Sequence, residues 1–331
     1  MSKTILWTNP SITSLGDRLL DTMLLATFAK MLGADLHFPW VDCPFTIGQE
    51  NPTYAYKEGE NKEWDRVRFE DYKFENYTQY YNLPSNIKIN QPVETPTYFF
   101  GDNLGGCVSP FMFHARYLSQ VCKFDDFILM FKQTVSEFTP TEKLVKLVEN
   151  KVTPDVSVHL RRTDKINKNG DYSTFMTYDG LDILNDKTKE AINLLYDNRK
   201  SFYFSSDDVT ERDKYHEVYP NHIEHDTICS AIEKTYIDLY MLSKSKYIIL
   251  SQIHSNFSVF ASYLNGAKLV YLYDNCLIVN EKFNATSNFI YFKDLLPAQY
   301  GEDDLIKFEE DIAECFNNAQ IKAPIHLYSW R

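Results

Sequence analysis

The stretch Val156–Lys165, VSVHLRRTDK, decides how the chain is read. Val156, Val158 and Leu160 alternate with Ser157 and His159, which is the period of a strand. At the strand's end His159, Arg161, Arg162, Asp164 and Lys165 fall within seven residues. In open α/β sheets, ligands bind just beyond the carboxyl ends of strands. Guanidinium groups there offer planar forks of donors, always charged, that match phosphate oxygens. Neighbours on a strand face opposite sides, so one arginine is expected to face a ligand and the other to pair with a carboxylate. A bare RR pair would read as a solvated basic turn. The full HxRRxDK string directly after an apolar strand favours a diphosphate site.

Downstream, the pattern repeats the same logic. After an Asn/Lys/Gly-rich loop at Ile166–Tyr178, Leu184–Asn198 has helical periodicity, and Phe202–Ser205 reads as a strand ending in Ser205-Ser206-Asp207-Asp208. Val209–Val218 is predicted helical, His222–His225 a short strand, Ala231–Ser243 a helix and Tyr247–Leu250 a strand. The loop Ser251–Ser255, a helix at Asn256–Asn265 and a strand at Lys268–Tyr273 follow, with a last amphipathic helix at Glu302–Asn317. Strands alternating with helices at this spacing predict a parallel, doubly wound sheet. An acidic pair before a helix can act as an N-cap, and Asp238 on a helix can be a solvated face. The hydroxyls and N–H groups of Ser251–Ser258, at a helix N-terminus, suit a phosphate, with Ser255 or Ser258 as its ligand.

Upstream, Thr4–Thr8 reads as a strand, Asp17–Leu32 as a helix closed by Gly33, and Asp35–Phe38 as a second strand. This is a β–loop–α–β unit opening a Rossmann-like domain. From Pro44 to about Gln91 the period is lost, and Gln49–Glu75 is polar, charged and rich in tyrosine. That stretch is expected to be an insertion, either an acceptor-binding surface or a decorated one with short strands. Tyr98–Phe100 is predicted as a strand, and Pro110–Ser119, Phe124–Phe138 and Thr141–Asn150 as helices. The polar segment Glu149–Asp155 marks the domain boundary, giving domains at 1–150 and 151–331.

The string His159–Lys165, HLRRTDK, resembles the first peptide motif of the α1,6-fucosyltransferase superfamily. That superfamily includes core and bacterial nodulation fucosyltransferases and, more distantly, α1,2- and protein O-fucosyltransferases. The SSDD stretch resembles the family's second motif, whose acidic pair contacts the donor, which implies Asp207 and Asp208. Tyr236–Ser262 resembles the third, in which an acidic residue on a helix is followed by LS, an apolar strand and a Ser-rich turn. Asp238 falls on the acidic position, which in the family contacts the nucleotide base; Ser251, Ser255 and Ser258 fall in or beside the turn. SLGDRL at Ser14–Leu19 resembles the N-terminal glycine loop of such enzymes and implies Gly16, Asp17 and Arg18 at an inter-domain cleft.

The resemblance implies a GT-B fold: two facing Rossmann-like domains, acceptor side first and donor-binding domain second, with the last helix crossing back. It implies an inverting, metal-independent transfer of L-fucose from GDP-fucose to a hydroxyl of a glycan acceptor. Arg161 or Arg162 would neutralise the diphosphate, with His159 and Lys165 holding the donor. The chain departs from the core enzymes where they have a glutamate after the motif. It has Ile166, Asn167, Lys168, Asn169 and Gly170 there, and the next acid is Asp171. Asp164, Asp171 and Asp17 are the candidate bases. Two alternatives stand beside this reading: a transferase of the same fold using another sugar nucleotide, such as a UDP-sugar, and a non-catalytic nucleotide-sugar or glycan binder. A phosphoryl transferase is disfavoured, since the chain has neither GxxxxGK[ST] nor GxGxxG.

Composition is that of an ordinary globular protein, with 15% aromatic residues that are expected to lie mostly in cores. The net charge of −12 argues against nucleic acid and against an anionic membrane surface. The six cysteines show neither CxxC nor zinc-like spacing and are expected to be free, mostly buried thiols in a reducing compartment. No signal-peptide or membrane-spanning segment is seen, so a cytoplasmic setting is expected.

Overall fold

The computed structural model describes residues 3–8, 10, 15–40, 74–93, 95–101, 104, 110–161, 181–195, 199–224, 229–251, 255–272 and 289–291. Arg162, Asp164, Lys165 and Asp171, the loop at 166–178 and the helix predicted at 302–317 lie outside them. The described chain divides into two compact units, 3–150 with 229–237 and 151–224 with 238–291. No helix among the described residues is long and apolar enough to cross a membrane.

The first unit opens with β1 (Lys3–Trp7), α1 (Leu15–Met31) and β2 (Ala34–Phe38). β1 and β2 pair in parallel, so α1 is the crossover the sequence predicts, although it starts at Leu15 and not at Asp17. It ends at Gly33, whose φ of 63° is the left-handed value that a Cβ disfavours, and whose N–H donates to the Lys30 carbonyl at 2.9 Å. Leu19, Leu20, Met23, Leu24, Leu25 and Phe28 of α1 are buried, each contributing about 1.5–3 kcal/mol of transfer free energy.

The chain continues with α2 (Phe74–Tyr80), β3 (Tyr81–Asn82), β4 (Ile87–Ile89) and β5 (Tyr98–Phe100). The sheet order is β4-β2-β1-β5, all parallel. This corrects the expectation of an insertion running to residue 91. Its last part is built into the domain: β4 supplies an outer strand, and Asn86 Nδ2 donates to the Ala26 carbonyl of α1 at 2.9 Å. Next come α3 (Pro110–Phe113), which runs into a π-helical stretch at His114–Leu118, then α4 (Phe124–Ser136), β6 (Thr139–Pro140) and α5 (Glu142–Val148). Pro140 lies in β6, and Thr141 caps α5 by accepting from Leu144 N–H.

Much of the tyrosine and phenylalanine content becomes core. Tyr81 stacks on Phe138 at 4.4 Å and Tyr80 on Tyr236 at 4.4 Å, while Trp40 stacks on Tyr77 at 5.6 Å. Burial, with Tyr236 and Tyr81 close by, pushes the Tyr77 phenol well above its ordinary value. Its hydroxyl has no hydrogen-bond partner among the described residues. An acid whose folded pKa is raised leaves stability untouched below the ordinary value of 10.0 and erodes it above, because the unfolded chain ionises first. Tyr77→Phe is therefore expected to gain about 1 kcal/mol at neutral pH by removing an unsatisfied buried hydroxyl. It should also flatten the loss of stability above pH 10.0. Urea denaturation at neutral and alkaline pH measures both.

The second unit contains β7 (Val156–Leu160), α6 (Leu181–Leu195), β8 (Phe202–Ser206), α7 (Val209–Val218), the later part of α8 (Ala231–Lys244), β9 (Tyr247–Leu250), α9 (Asn256–Asn265), β10 (Lys268–Tyr271) and β11 (Phe289–Tyr291). The order is β11-β10-β9-β7-β8, parallel throughout, as the alternation of strands and helices predicts. The strand expected at His222–His225 is a single bridge from His222 to Phe202, which covers the start of the β8 edge.

Alternation gives this sheet two different faces. Val156, Val158, Leu160, Phe202, Phe204 and Ile249 share one hydrophobic core with Leu184, Ile192, Tyr215 and Tyr219. Ser157, His159 and Tyr203 take the opposite parity, yet they too are buried, because β7 lies inside the sheet with both faces covered. The strand thus holds a buried polar row under helices.

Candidate functional site

The three sequence motifs meet at the carboxyl ends of β7, β8 and β9. Parallel register places His159 beside Ser205 on one side and Leu250 on the other. Backbone and side chains then tie the three strand ends together. Ser251 N–H donates to the His159 carbonyl at 3.1 Å, and Ser206 Oγ donates to the Leu160 carbonyl at 2.8 Å. Such cross-links hold the end of β7 in one position while the following loops leave the sheet.

On the polar face, His159 Nδ1 and Ser258 Oγ lie 2.5 Å apart. The imidazole is 7% exposed and its ring meets Phe257 at 5.7 Å. Ser258, a candidate phosphate ligand by sequence, is fully buried and gives its hydroxyl to this contact. Ser255, the N-cap residue of α9, differs. It is 1% exposed, its side chain makes no capping bond, and its Oγ has no partner among the described residues. A buried hydroxyl without a partner costs free energy unless a ligand or water completes it. At the N-terminus of a helix, where backbone N–H groups and the dipole favour anions, a phosphate oxygen fits that need.

Asp238 does not lie on a solvated face. It is 7% exposed, and Tyr203 Oη donates to its Oδ1. The tyrosine occupies the inward polar position of FYFSS on β8, a signal that the sequence carries in its alternation. Ser251, also fully buried, shares a 2.7 Å hydrogen bond with Thr188 of α6. It braces the floor of the site. Of the acidic pair, Asp208 is the N-cap of α7, its Oδ1 accepting from Glu211 N–H at 3.1 Å, and its own N–H donates to Ser206 Oγ at 3.0 Å. Asp207 stands half-buried between them. Arg161 follows the last residue of β7 and is half-buried.

Removing the Ser258 hydroxyl is expected to loosen His159. Ser258→Ala should cost about 1–3 kcal/mol, since it breaks a buried polar pair from one side. Thermal denaturation checks the cost, and the imidazole resonances of His159 by NMR check whether its titration changes.

In the first unit, Gly16 and Arg18 are buried in the opening turns of α1, and Asp17 is half-buried. The Arg18 guanidinium lies over the Trp40 ring, 5.0 Å from its centroid. Arg18 and Trp40, with Trp7, Phe38 and Thr22, line a small hollow of about 10 Å³, room for a single water, beside the carboxyl ends of β1 and β2. The described cysteines, Cys122 and Cys229, are half-buried, and burial followed by the nearby Asp126 raises the Cys122 thiol.

No protein-family model and no curated protein matches the chain. Among solved structures it is similar to the fucosyltransferase NodZ from Bradyrhizobium, at 12% identity over 79% of this chain and 93% of that one, with a TM-score of 0.46. It is similar to Arabidopsis thaliana FUT1 in complex with GDP, at 13% identity over 82% and 70%, with a TM-score of 0.44. It is also similar to POFUT1 in complex with GDP-fucose, at 11% identity over 82% and 97%, with a TM-score of 0.39. These likenesses are weak in both identity and superposition, so what the site does has to be read from its own residues.

Proposed function

We propose that the chain is an inverting glycosyltransferase of GT-B architecture that moves L-fucose from GDP-fucose to a glycan hydroxyl. The observation that carries this reading is the contact between His159 and Ser258, 99 residues apart, at the carboxyl edge of a parallel sheet. It draws the HLRRTDK string and the Ser-rich turn into one place, beside the Tyr203–Asp238 pair and the end of the SSDD strand.

In this reading the diphosphate lies against the N-terminus of α9, with Ser255 Oγ donating to a phosphate oxygen. Ser258 orients His159 beside the phosphates and takes no phosphate itself. Ser251 holds the strand end. Asp238, fixed by Tyr203, receives the base, and Asp207 lines the donor with Asp208 braced as a cap. The acceptor hydroxyl attacks the anomeric carbon from the face opposite the departing diphosphate. The carbon–oxygen bond to the β-phosphate breaks as the new glycosidic bond forms, and GDP leaves. Arg161 and Lys165 balance the charge gathering on the leaving group, which lets transfer proceed without a metal. A base among Asp164, Asp171 and Asp17 takes the acceptor proton.

A panel of GDP, UDP, ADP and CMP in thermal-shift assays tests the donor. Stabilisation by GDP alone is expected. Stabilisation by UDP would keep the transferase and replace the donor. No response from a folded sample would remove the nucleotide site. One sequence observation favours a second reading, a non-catalytic binder: no acid occupies 166–170, where core enzymes carry glutamate. GDP-fucose hydrolysis or transfer separates the two, since a binder is stabilised by the nucleotide but releases no GDP.

A further inference from the structure

The opposite end of the second sheet carries a cluster that the proposed transfer does not use. α7 runs back along β8, so its last turn, with His216, arrives where β8 begins. There Ile223 N–H donates to the Phe202 carbonyl at 2.7 Å and His222 bridges Phe202. This sets His222 and Glu224 beside His216. The two imidazoles lie face to face, 3.9 Å between centroids and 9° between planes. One ligand atom from each of His216, His222 and Glu224 falls within 4.8 Å of the others.

The hydrogen bonds of His222 point to a cation. Its Nδ1 lies 2.9 Å from the Tyr219 carbonyl, and its Nε2 lies 2.8 Å from Glu224 Oε1. Neither oxygen has a proton to give, and a neutral imidazole has one N–H. With that proton on Nδ1, the Nε2 lone pair faces the Glu224 carboxylate, an arrangement that a cation held between the two atoms completes. A proton or a metal ion satisfies this. A histidine held through Nδ1–H by a backbone carbonyl is oriented as metal-ligating histidines are. The cluster also lies at the carboxyl end of α7, where the dipole favours cations.

We propose that His216, His222 and Glu224 form a divalent metal site, suited to zinc with water as fourth ligand. Two nitrogens and a carboxylate oxygen are a zinc donor set, with metal–ligand distances of about 2.0–2.2 Å. Ligating nitrogens then stand roughly 3.3 Å apart, so the cluster closes by side-chain rotation. The Glu224 side chain is 80% exposed and swings without repacking. The His216 ring turns about its Cα–Cβ bond, because parallel rings cannot both aim in-plane lone pairs at one ion. Lys151 Nζ donates to the Glu224 backbone carbonyl at 3.0 Å. The ion ties the last turn of α7 to the start of β8, roughly 13 Å along the strand from the donor site. Its role is structural and leaves the transfer step metal-independent.

The test is a zinc chloride titration of the full chain, stripped with chelator, followed by calorimetry and melting temperature, with cobalt(II) absorption reporting tetrahedral geometry. One ion per chain and a rise of several degrees in melting temperature are expected. The His216→Ala/His222→Ala double variant should lose binding. Glu224→Gln, at an exposed position, should weaken it by roughly tenfold or more. Binding of the same strength in either variant would overturn the site. Absence of binding in the parent chain would overturn it as well. If the double variant does not fold, Glu224→Gln alone decides.

Discussion

Arg161→Ala is expected to abolish stabilisation by GDP and to lower fucosyl transfer by roughly 10²–10³-fold, the usual cost of removing one donor aimed at developing charge. Arg161 leaves β7 two residues after His159, so it shares the face on which His159 meets Ser258 and Tyr203 meets Asp238. That is the polar face, and at its end the sheet opens toward the N-terminus of α9. Arg162 lies outside the described residues, and its alanine variant is expected to keep the GDP response. Arg161→Lys preserves charge but not the planar fork, and should recover part of the affinity and less of the rate. Thermal shift with GDP and a transfer assay on the three variants read these outcomes. A full GDP response in Arg161→Ala, or a loss confined to Arg162→Ala, would reassign the diphosphate ligand.

What the sequence made legible follows from how local each signal is. The strand at 156–160 and its parallel neighbours could be read because a period of two and a helix between strands are written into contiguous residues. The helix of the first β–α–β unit was read for the same reason, with its start misplaced by two residues, since Leu15 and Gly16 look like the end of a loop. The strand Ile87–Ile89 was hidden, because three residues in a polar, aromatic stretch carry no period. Pairings across long separations were not legible at all. Ser258 reads as a phosphate ligand until His159 is placed beside it, and Asp238 reads as a solvated charge until Tyr203 reaches it from 35 residues away. Asp208 shows the reverse: its plainer reading, an N-cap, is the contact it makes. The site is thus legible as a set of residue types at strand ends, while each residue's task is set by tertiary partners.

Phe204→Ala is expected to be the most destabilising single change on the second sheet, at about 3–5 kcal/mol. Phe204 is fully buried on β8, an outer strand of the described sheet. Its ring centroid lies 5.6 Å from Tyr215, 5.9 Å from Tyr219 and 6.4 Å from Phe202, and His216 meets it edge-on at 5.6 Å. These rings are how α7 docks. The helix is VTERDKYHEV, with only Glu211 and Tyr215 buried. A ten-residue helix of such composition is not stable alone and takes its stability from packing. Alanine would leave a cavity under Tyr215 and Tyr219 that a rigid β8 cannot close, so the loss should combine transfer and cavity terms. Phe204→Leu keeps most of the volume and should cost markedly less. Urea denaturation gives the free energies, and hydrogen exchange across 209–218 shows whether α7 opens before the sheet does. Because α7 begins at the Asp208 cap, its release should also unsettle Asp207 and weaken GDP binding. A Phe204→Ala variant losing under 1 kcal/mol with unchanged exchange in 209–218 would mean that α7 is held by something other than this ring cluster.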